Sequence, residues 1–513
     1  MRATLIWFAL LFCMGGGSAL AQTQDVQQLQ EKVKQLEQLT DELKARLAVL
    51  EKSQPGTPQV VNTNIVRPSG TGDAASLPNA PDSAAPSPAA SASAPSATAP
   101  SPQVSKSVST GQATETITVI AQTPESEKDT LEKKPGFDIY GFAQLDMGYD
   151  FNQNDPAWFD VMRPTKLPAF PDQFGRDGVF YAGVRQTRFG VKADFPTPVG
   201  DVKTIFEFEM FGVGVDAGQT TIRLRHAWGE VGQFGAGQTW SPFMDPDVFP
   251  NSLEYWGPNG MVFFRNVQAR WMPMNKGNHQ LWFAVERPGA SGDLGTLAGR
   301  IELTGVQSRF PAPDLSARFR WGGEKDYLQI SGIGRYIAWD DLHATPTSTF
   351  DFTSNTWGWG VSVSTNYAVG KMNLLKGEYT YGHGIENYMN DAPVDVAPIA
   401  TLSNVRRPFD GRPLPVWAWV AFDDINWSDH WTSTAGYSYL RIDNTPLQNP
   451  SDFRRGQYAL FNLEHHPTKN VMYGAEFQWG RRNNFSDGFE VNDYRLQFGF
   501  RYNFDHKLGG AKK

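Results

Sequence analysis

The sequence is poor in two features that commonly decide a protein's class, cysteine and long hydrophobic runs. Its 513 residues contain one cysteine, Cys13, which lies in an apolar N-terminal stretch. Removal of that stretch leaves no thiol for a disulfide or for a cysteine-based metal site. After it, no run approaches the roughly 18 to 20 apolar residues that a membrane helix needs, which argues against a helical membrane protein.

The N-terminus has the layout of a secretory signal peptide. Arg2 supplies a positive charge, residues 4–14 are mostly apolar, and Ala19 and Ala21 are small residues at the two positions that signal peptidase reads. We therefore expect residues 1–21 to be a signal peptide. The rest of the chain is expected to be exported.

Charged residues make up 19% of the chain, aromatic residues 13%, and the formal net charge is -8. The negative sum gives no basis for a nucleic-acid partner, and we expect none. Because it adds every loop and linker together, it says little about the charge at any single site.

A heptad pattern fills the predicted coiled coil, residues 22–52. Positions a and d are Val26, Val33, Thr40 and Leu47, and Leu29, Leu36, Leu43 and Leu50. This seam predicts a short periplasmic coiled coil about 40 Å long. A lone amphipathic helix lying on a surface is the alternative. The seam alone does not determine how many helices associate. We also expect the coiled coil to contact the cell wall.

Residues 53–135 form a low-complexity region, dominated by Pro, Ala, Ser and Thr up to about residue 112. Such a composition cannot build a core and predicts a disordered linker. Near its end, residues 115–121 read ETITVIA, which resembles the segment by which energised outer-membrane receptors are coupled to the periplasm. Such receptors place a large plug between this segment and a barrel of about 22 strands, whereas only about 15 residues follow here.

From Gly136 to Phe504 the apolar residues recur at every second position. The stretch YRLQFGFRYNF at Tyr494–Phe504 shows it most clearly, because its large apolar residues alternate with Arg, Gln, Gly and Asn. Its apolar positions are Tyr494, Leu496, Phe498, Phe500, Tyr502 and Phe504. A period of two predicts strands with one apolar face and one polar face.

About sixteen such runs occur over residues 136–504, many of them about 9 to 14 residues long, the length that crosses a membrane at a tilt. Short and long connections alternate between them. Since lipid offers no partner to backbone amides, we predict an all-β fold, a transmembrane antiparallel β-barrel of about 16 strands in the outer membrane. Its apolar face contacts lipid and its polar face an aqueous lumen.

Two segments resemble the general porins. RLRHAWGEVGQFGAGQTWSPF at Arg223–Phe243 is similar to the basic strand and short strand that lead into a porin's long third loop, and FFRNVQARWMP at Phe263–Pro273 resembles the strand after it. With the coiled coil, the Pro/Ala linker and the barrel opening FDIYGFAQLDMGYDF, the mature chain resembles the DcaP-like trimeric porins. One departure is the tail DHKLGGAKK, residues 505–513, since such barrels commonly end on an aromatic residue.

The resemblance implies a homotrimeric outer-membrane porin that passes small anionic solutes such as dicarboxylates. Strand parity independently places a set of basic side chains in the lumen: Arg188, Lys192, Arg223, Arg225, Arg270, Arg318 and Arg320. The third loop, about residues 241–260, supplies Asp245, Asp247 and Glu254. A basic wall facing an acidic loop would create a transverse field that favours anions.

An alternative remains for these arginines: they only solvate the lumen and pair with the neighbouring Glu207 and Glu209. A slip of the register by one residue would also invert every assignment. A structural anchor with an incidental pore is a further alternative.

Enzymatic chemistry has little support. The histidines at positions 226, 383, 430, 465 and 466 accompany no recognisable nucleophile motif, and neither a phosphate-binding glycine loop nor a metal-ligand spacing occurs. We expect no catalytic residues, no metal and no cofactor.

Overall fold

A computed structural model describes residues 135–276, 278–323 and 325–509. The predicted signal peptide, coiled coil and linker, including the ETITVIA segment, lie outside these described residues. Within them, no helix is both long enough and apolar enough to cross a membrane.

The alternating sequence forms twenty strands. They are β1 (Gly136–Asp150), β2 (Val179–Gly183), β3 (Arg188–Thr197), β4 (Gly200–Phe211), β5 (Thr220–Val231), β6 (Phe234–Trp240), β7 (Arg265–Lys276), β8 (His279–Glu286), β9 (Val306–Arg309), β10 (Asp314–Gly322), β11 (Tyr327–Asp341), β12 (Ser354–Val369), β13 (Asn373–His383), β14 (Val396–Ala400), β15 (Phe409–Pro413), β16 (Pro415–Asn426), β17 (Trp431–Ile442), β18 (Phe453–Thr468), β19 (Val471–Asn484) and β20 (Glu490–Gly509). Short 3₁₀ helices lie at Pro156–Trp158, Pro164–Lys166, Gly214–Asp216, Pro246–Val248, Gly295–Leu297, Ile301–Leu303 and Glu386–Tyr388.

Sixteen of these strands close into an antiparallel barrel, as the sequence predicts. Closure comes from β1, which pairs with β20 on one side and with β3 on the other. The short β2 pairs with the far end of β1 and so extends β3, and β9 extends β10 in the same way along β11. Strands β14 and β15 form a separate hairpin. Every barrel strand thus has two neighbours, which satisfies the backbone groups without water.

The two faces of each strand differ as expected. In β20 the Phe498 side chain faces outward and is 50% exposed, whereas the neighbouring Gln497 faces the lumen and is fully buried. The outer wall of the barrel is therefore the lipid-facing one. The buried apolar residues gather inside the lumen, where inward-folded loops such as those at Phe243 and Tyr388 pack together.

Long and short connections lie at opposite ends of the barrel. Eight long loops join β1 to β3 (L1), β4 to β5 (L2), β6 to β7 (L3), β8 to β10 (L4), β11 to β12 (L5), β13 to β16 (L6), β17 to β18 (L7) and β19 to β20 (L8). Short turns make the connections at the other end. Outer-membrane barrels present long loops to the outside and short turns to the periplasm.

The last strand is longer than the sequence suggests. It continues past Phe504 to Gly509, which pairs with Gly136 at the start of β1. Residues 505–509, expected to belong to a separate tail, are therefore strand. The physical reason is that β1 offers backbone partners along its whole length.

A charge placed at the centre of the lipid-facing wall tests the assignment of faces. Phe498→Arg is expected to destabilise the barrel by about 2–4 kcal/mol, because the guanidinium enters the hydrocarbon. Urea unfolding of the protein folded into lipid vesicles measures it. Tyr502→Arg, nearer the interface, is the control and should cost about 0–1 kcal/mol. Equal costs at the two positions would contradict the assignment.

Candidate functional site

The third loop L3, residues 241–264, folds into the barrel. Its apolar side chains Phe243, Met244 and Val248 are completely buried and belong to one cluster with Ile385 and Tyr388 of L6. The same cluster includes inward-facing wall residues such as Val420 and Leu440, so apolar packing holds part of the loop. Its backbone is also tied to the wall by hydrogen bonds to several strands.

The first ties reach β11 and β12. The Asp245 carboxylate accepts hydrogen bonds from the Tyr327 hydroxyl at 2.8 Å and from the Ser364 hydroxyl at 2.6 Å. The Asn366 side chain donates to the backbone carbonyl of Asp247 at 2.9 Å. Neutral donors of β11 and β12 thus hold the beginning of L3, and Arg320 of β10 adds a charged donor 2.5 Å from Asp247.

The middle of L3 is tied to β13 and β16. The Lys376 ammonium donates to the Phe249 carbonyl at 2.6 Å and forms an ion pair with Asp424 at 2.7 Å. The same Asp424 carboxylate accepts the backbone N–H of Asn251 at 3.2 Å.

Two buried glutamates hold the rest of the loop. Glu476 of β19 accepts the backbone N–H groups of Leu253 at 2.8 Å and of Glu254 at 3.2 Å. Glu378 of β13 accepts the N–H of Val262 at 2.6 Å. Hydrogen bonds to a carboxylate are stronger than those between neutral groups. L3 is thereby fastened along the wall from β11 to β19.

Opposite this wall lies an arginine cluster, defined here as Arg188, Arg223, Arg225 and Arg265. It surrounds two glutamates of β4. The Arg225 guanidinium bridges them, with Nε 2.5 Å from Glu207 and Nη1 2.6 Å from Glu209. The other three arginines stand farther from Glu209, at 3.4 Å for Arg188 and 3.8 Å for both Arg223 and Arg265.

The arginine cluster carries more positive charge than its partners neutralise, since four guanidinium groups face two carboxylates. Arg188 and Arg223 keep 24% and 26% of their side chains exposed. L3 touches this wall at Tyr255, whose hydroxyl donates to Glu209 and accepts from Arg225 at 3.2 Å. Beside that contact lies a cavity of about 260 Å³. Its lining includes Arg188, Arg225 and Arg501 from the wall, and Phe249, Asn251 and Tyr255 from L3.

A second basic group lies on β7 and β10. The guanidinium carbons of Arg270 and Arg318 lie 4.5 Å and 3.4 Å from the centre of the Trp282 ring. Neither arginine has a carboxylate within 4.0 Å among the described residues. The neighbouring Arg320 is paired with Asp247 at 2.5 Å.

Among the described residues, the acidic residues expected on L3 form no ion pair with the arginine cluster, although Glu254 lines the cavity beside Arg188 and Arg225. Asp245 and Asp247 lie against Arg320 at 3.9 Å and 2.5 Å. The Glu254 carboxylate accepts the backbone N–H groups of Met162 and Gly257, and no basic side chain of the described residues lies within 4.0 Å of it. Their geometry is that of loop anchors.

Lys192 and Arg265 lie in positions that differ from expectation. Lys192, predicted to line the pore, lies nearer the short-turn end with its ammonium 4.7 Å above the Tyr140 ring. Arg265, the first residue of β7, completes the arginine cluster and was not among the predicted pore residues. It has the parity of Val267, which faces outward, so alternation alone would not place it in the lumen.

Loop L1 covers the inner face of L3. The Arg163 guanidinium packs against the rings of Trp158 and Trp256, 4.1 Å and 4.2 Å from their centres, and its Nε is 2.9 Å from Asp391 of L6. The two rings meet edge to face with centres 4.9 Å apart, and the cation is attracted to both. Loops L1, L3 and L6 are thereby joined inside the mouth of the barrel.

A closed sixteen-stranded barrel, with its third loop folded into a polar lumen, defines the class of protein as an outer-membrane porin. Comparison with known proteins gives the family. Residues 117–504 match the model of the DcaP outer membrane protein family, and the chain belongs to that family. The protein is accordingly an outer-membrane channel. No curated protein sequence matches the chain.

The chain is also similar in fold to solved structures. The outer membrane channel DcaP of Acinetobacter baumannii superposes with a TM-score of 0.59 at 20% identity, over 72% of this chain and 97% of that one. The anion-selective porin from Comamonas acidovorans gives 0.45 at 9% identity, over 72% and 100%. OmpT of Vibrio cholerae gives 0.44 at 13% identity, over 72% and 98%.

The buried Glu254 makes the loop assembly sensitive to pH. Burial raises the pKa of its carboxyl to about 8, and the nearby Glu476 adds to the rise. The neutral form is favoured in the folded protein, so its stabilisation is complete at low pH and is lost as pH rises toward 8. We expect the thermal midpoint in detergent to fall between pH 5 and 8 and then to level off. In Glu254→Gln this part of the fall should disappear, and identical pH profiles would contradict the prediction.

Proposed function

We propose that the protein is a passive diffusion channel selective for small anions, among them dicarboxylates. The observation that carries the proposal is the excess of guanidinium groups in the arginine cluster and in the second basic group on β7 and β10. Four arginines share two glutamates in the arginine cluster. Arg270 and Arg318 have no carboxylate partner among the described residues.

The chemistry of arginine fits such solutes. A guanidinium stays charged at any physiological pH and presents paired N–H donors that match the two oxygens of a carboxylate. Basic side chains in a narrow, poorly hydrated passage attract anions and repel cations more strongly than they do in open water. L3 reduces the lumen to such a passage beside the arginine cluster.

Selectivity is tested by the reversal potential across a planar bilayer in a KCl gradient. The wild-type channel is expected to favour chloride. Arg188→Gln combined with Arg223→Gln removes the two exposed charges of the arginine cluster and should lower the chloride-to-potassium permeability ratio about threefold. Arg225 is kept, so Glu207 and Glu209 retain their closest partner.

The matched control is Arg300→Gln with Arg406→Gln. These arginines lie on L4 and L6 with about half of each side chain exposed, and each is paired with one acidic residue. The control makes the same charge change outside the passage and should leave the permeability ratio unchanged. A wild-type channel that favours potassium would contradict the proposal.

We further propose that the channel is a homotrimer assembled through its barrels, with the heptad region over residues 22–52 aligning the subunits on the periplasmic side. The support is the resemblance to the DcaP-like trimeric porins and the a/d seam, which requires more than one helix. Deletion of residues 22–112 should leave trimers intact in native mass spectrometry. Monomers from the deleted chain would show that the helices hold the assembly together.

A further inference from the structure

The outer wall of the barrel changes character over β16 to β20, near the end that carries the long loops. Cross-strand pairing places Trp417, Arg441, Arg455, Asn483 and Glu490 in one continuous row. The next row toward the periplasm is Trp419, Tyr439, Gln457, Arg481 and Asn492. Below it, the outward residues include Tyr437, Trp479 and Tyr494, and then Phe461, Phe477 and Leu496.

These rows face away from the lumen. Their neighbours along the strands, such as Leu440, Tyr458 and Gln478, are buried inside the barrel. Because side chains alternate strictly, Arg441, Arg455 and Arg481 lie on the lipid-facing side. We call these three arginines the rim site.

The three arginines of the rim site have fewer acidic partners than positive charges. Arg441 and Arg455 are direct cross-strand partners, an arrangement of like charges that destabilises a sheet. Arg455 donates to the Asn483 side chain at 2.9 Å and has no carboxylate within 4.0 Å among the described residues.

The other two arginines each have one acidic partner. Arg441 lies 3.1 Å from Asp443 and Arg481 lies 2.5 Å from Glu490. Three guanidinium groups thus share two carboxylates, and several donors remain for an external anion.

Aromatic rings fix the depth of the rim site in the membrane. Trp417 packs on Tyr439 with ring centres 4.9 Å apart, Trp419 on Tyr437 at 5.2 Å, and Tyr437 on Trp479 at 6.3 Å. Such rings form girdles at the level of the lipid head groups. The arginines lie among and just beyond these rings, on the side of the long loops, and so reach the head groups of the outer leaflet.

We propose that the rim site binds the phosphate groups of the phosphorylated glycolipid that forms the outer leaflet of the outer membrane. Arginine pairs with phosphate in a bidentate geometry, and basic pockets on membrane proteins bind anionic head groups in this way. A phosphate bound between Arg441 and Arg455 would attract both guanidinium groups and offset the repulsion between them. The girdle below offers an apolar surface to the acyl chains of the same lipid.

The test measures binding of lipid to the full-length protein in detergent by native mass spectrometry. Diphosphoryl lipid A is compared with dephosphorylated lipid A and with phosphatidylglycerol. The triple variant Arg441→Gln, Arg455→Gln and Arg481→Gln should bind diphosphoryl lipid A at least tenfold more weakly than the wild type. Its binding of the dephosphorylated lipid should not change.

The matched control replaces Arg300, Arg309 and Arg406 by Gln, three arginines outside the rim site with about half of each side chain exposed, and should bind lipid A as the wild type does. Single-channel conductance of the rim variant should equal that of the wild type, which confirms folding and separates this site from the passage. Unchanged affinity for diphosphoryl lipid A overturns the proposal. So does equal binding of phosphatidylglycerol by the wild type, or loss of trimers in the rim variant, which would assign the surface to an interface between copies.

Discussion

The structure depends on the requirement that backbone amides in lipid be paired within the protein. Closure of β1 onto β20 meets it for the barrel. The closed wall then creates a lumen into which polar side chains must point. Those side chains bind L3, because Glu476 and Glu378 accept backbone N–H groups of the loop that have no partner in a strand. Strand pairing closes the barrel, the closed barrel has a lumen with polar side chains, and these side chains bind the inserted loop.

Acidic and basic side chains of the lumen have different roles. The acidic side chains of the wall and of L3 are occupied in holding the loop, as Asp424 and Asp245 show. The arginine cluster on the opposite wall has only two carboxylates to share. Negative charge on one side of the lumen is therefore used to anchor L3, whereas the arginine cluster on the opposite side keeps an excess of positive charge. The same residue types on the outer wall, at Arg441 and Arg455, meet lipid head groups in place of solutes.

Alternation alone predicted which side chains of the barrel strands face lipid and which face the lumen. A period of two over Tyr494–Phe504 predicted both the lipid-facing rings and the lumen-facing Arg495 and Gln497, because side-chain direction in a strand depends only on parity. Alternation did not give the partners of the loops. Asp245 and Asp247 were expected to face the basic wall, and they meet it only at Arg320. Glu254 lines the cavity beside Arg188 and Arg225 but accepts a hydrogen bond from the backbone of L1. Loop direction is set by packing between residues far apart in sequence.

The sequence by itself determined the barrel, the orientation of its faces and the approximate number of strands, since each follows from local periodicity and from the length that spans a membrane. Only the tertiary structure decided which lumen arginines are paired. Arg225 lies between Glu207 and Glu209 whereas Arg318 stacks on Trp282 without a carboxylate, although both alternate with apolar residues in the same way. Strand neighbours and the course of L3 make that difference, and neither is encoded within a single strand.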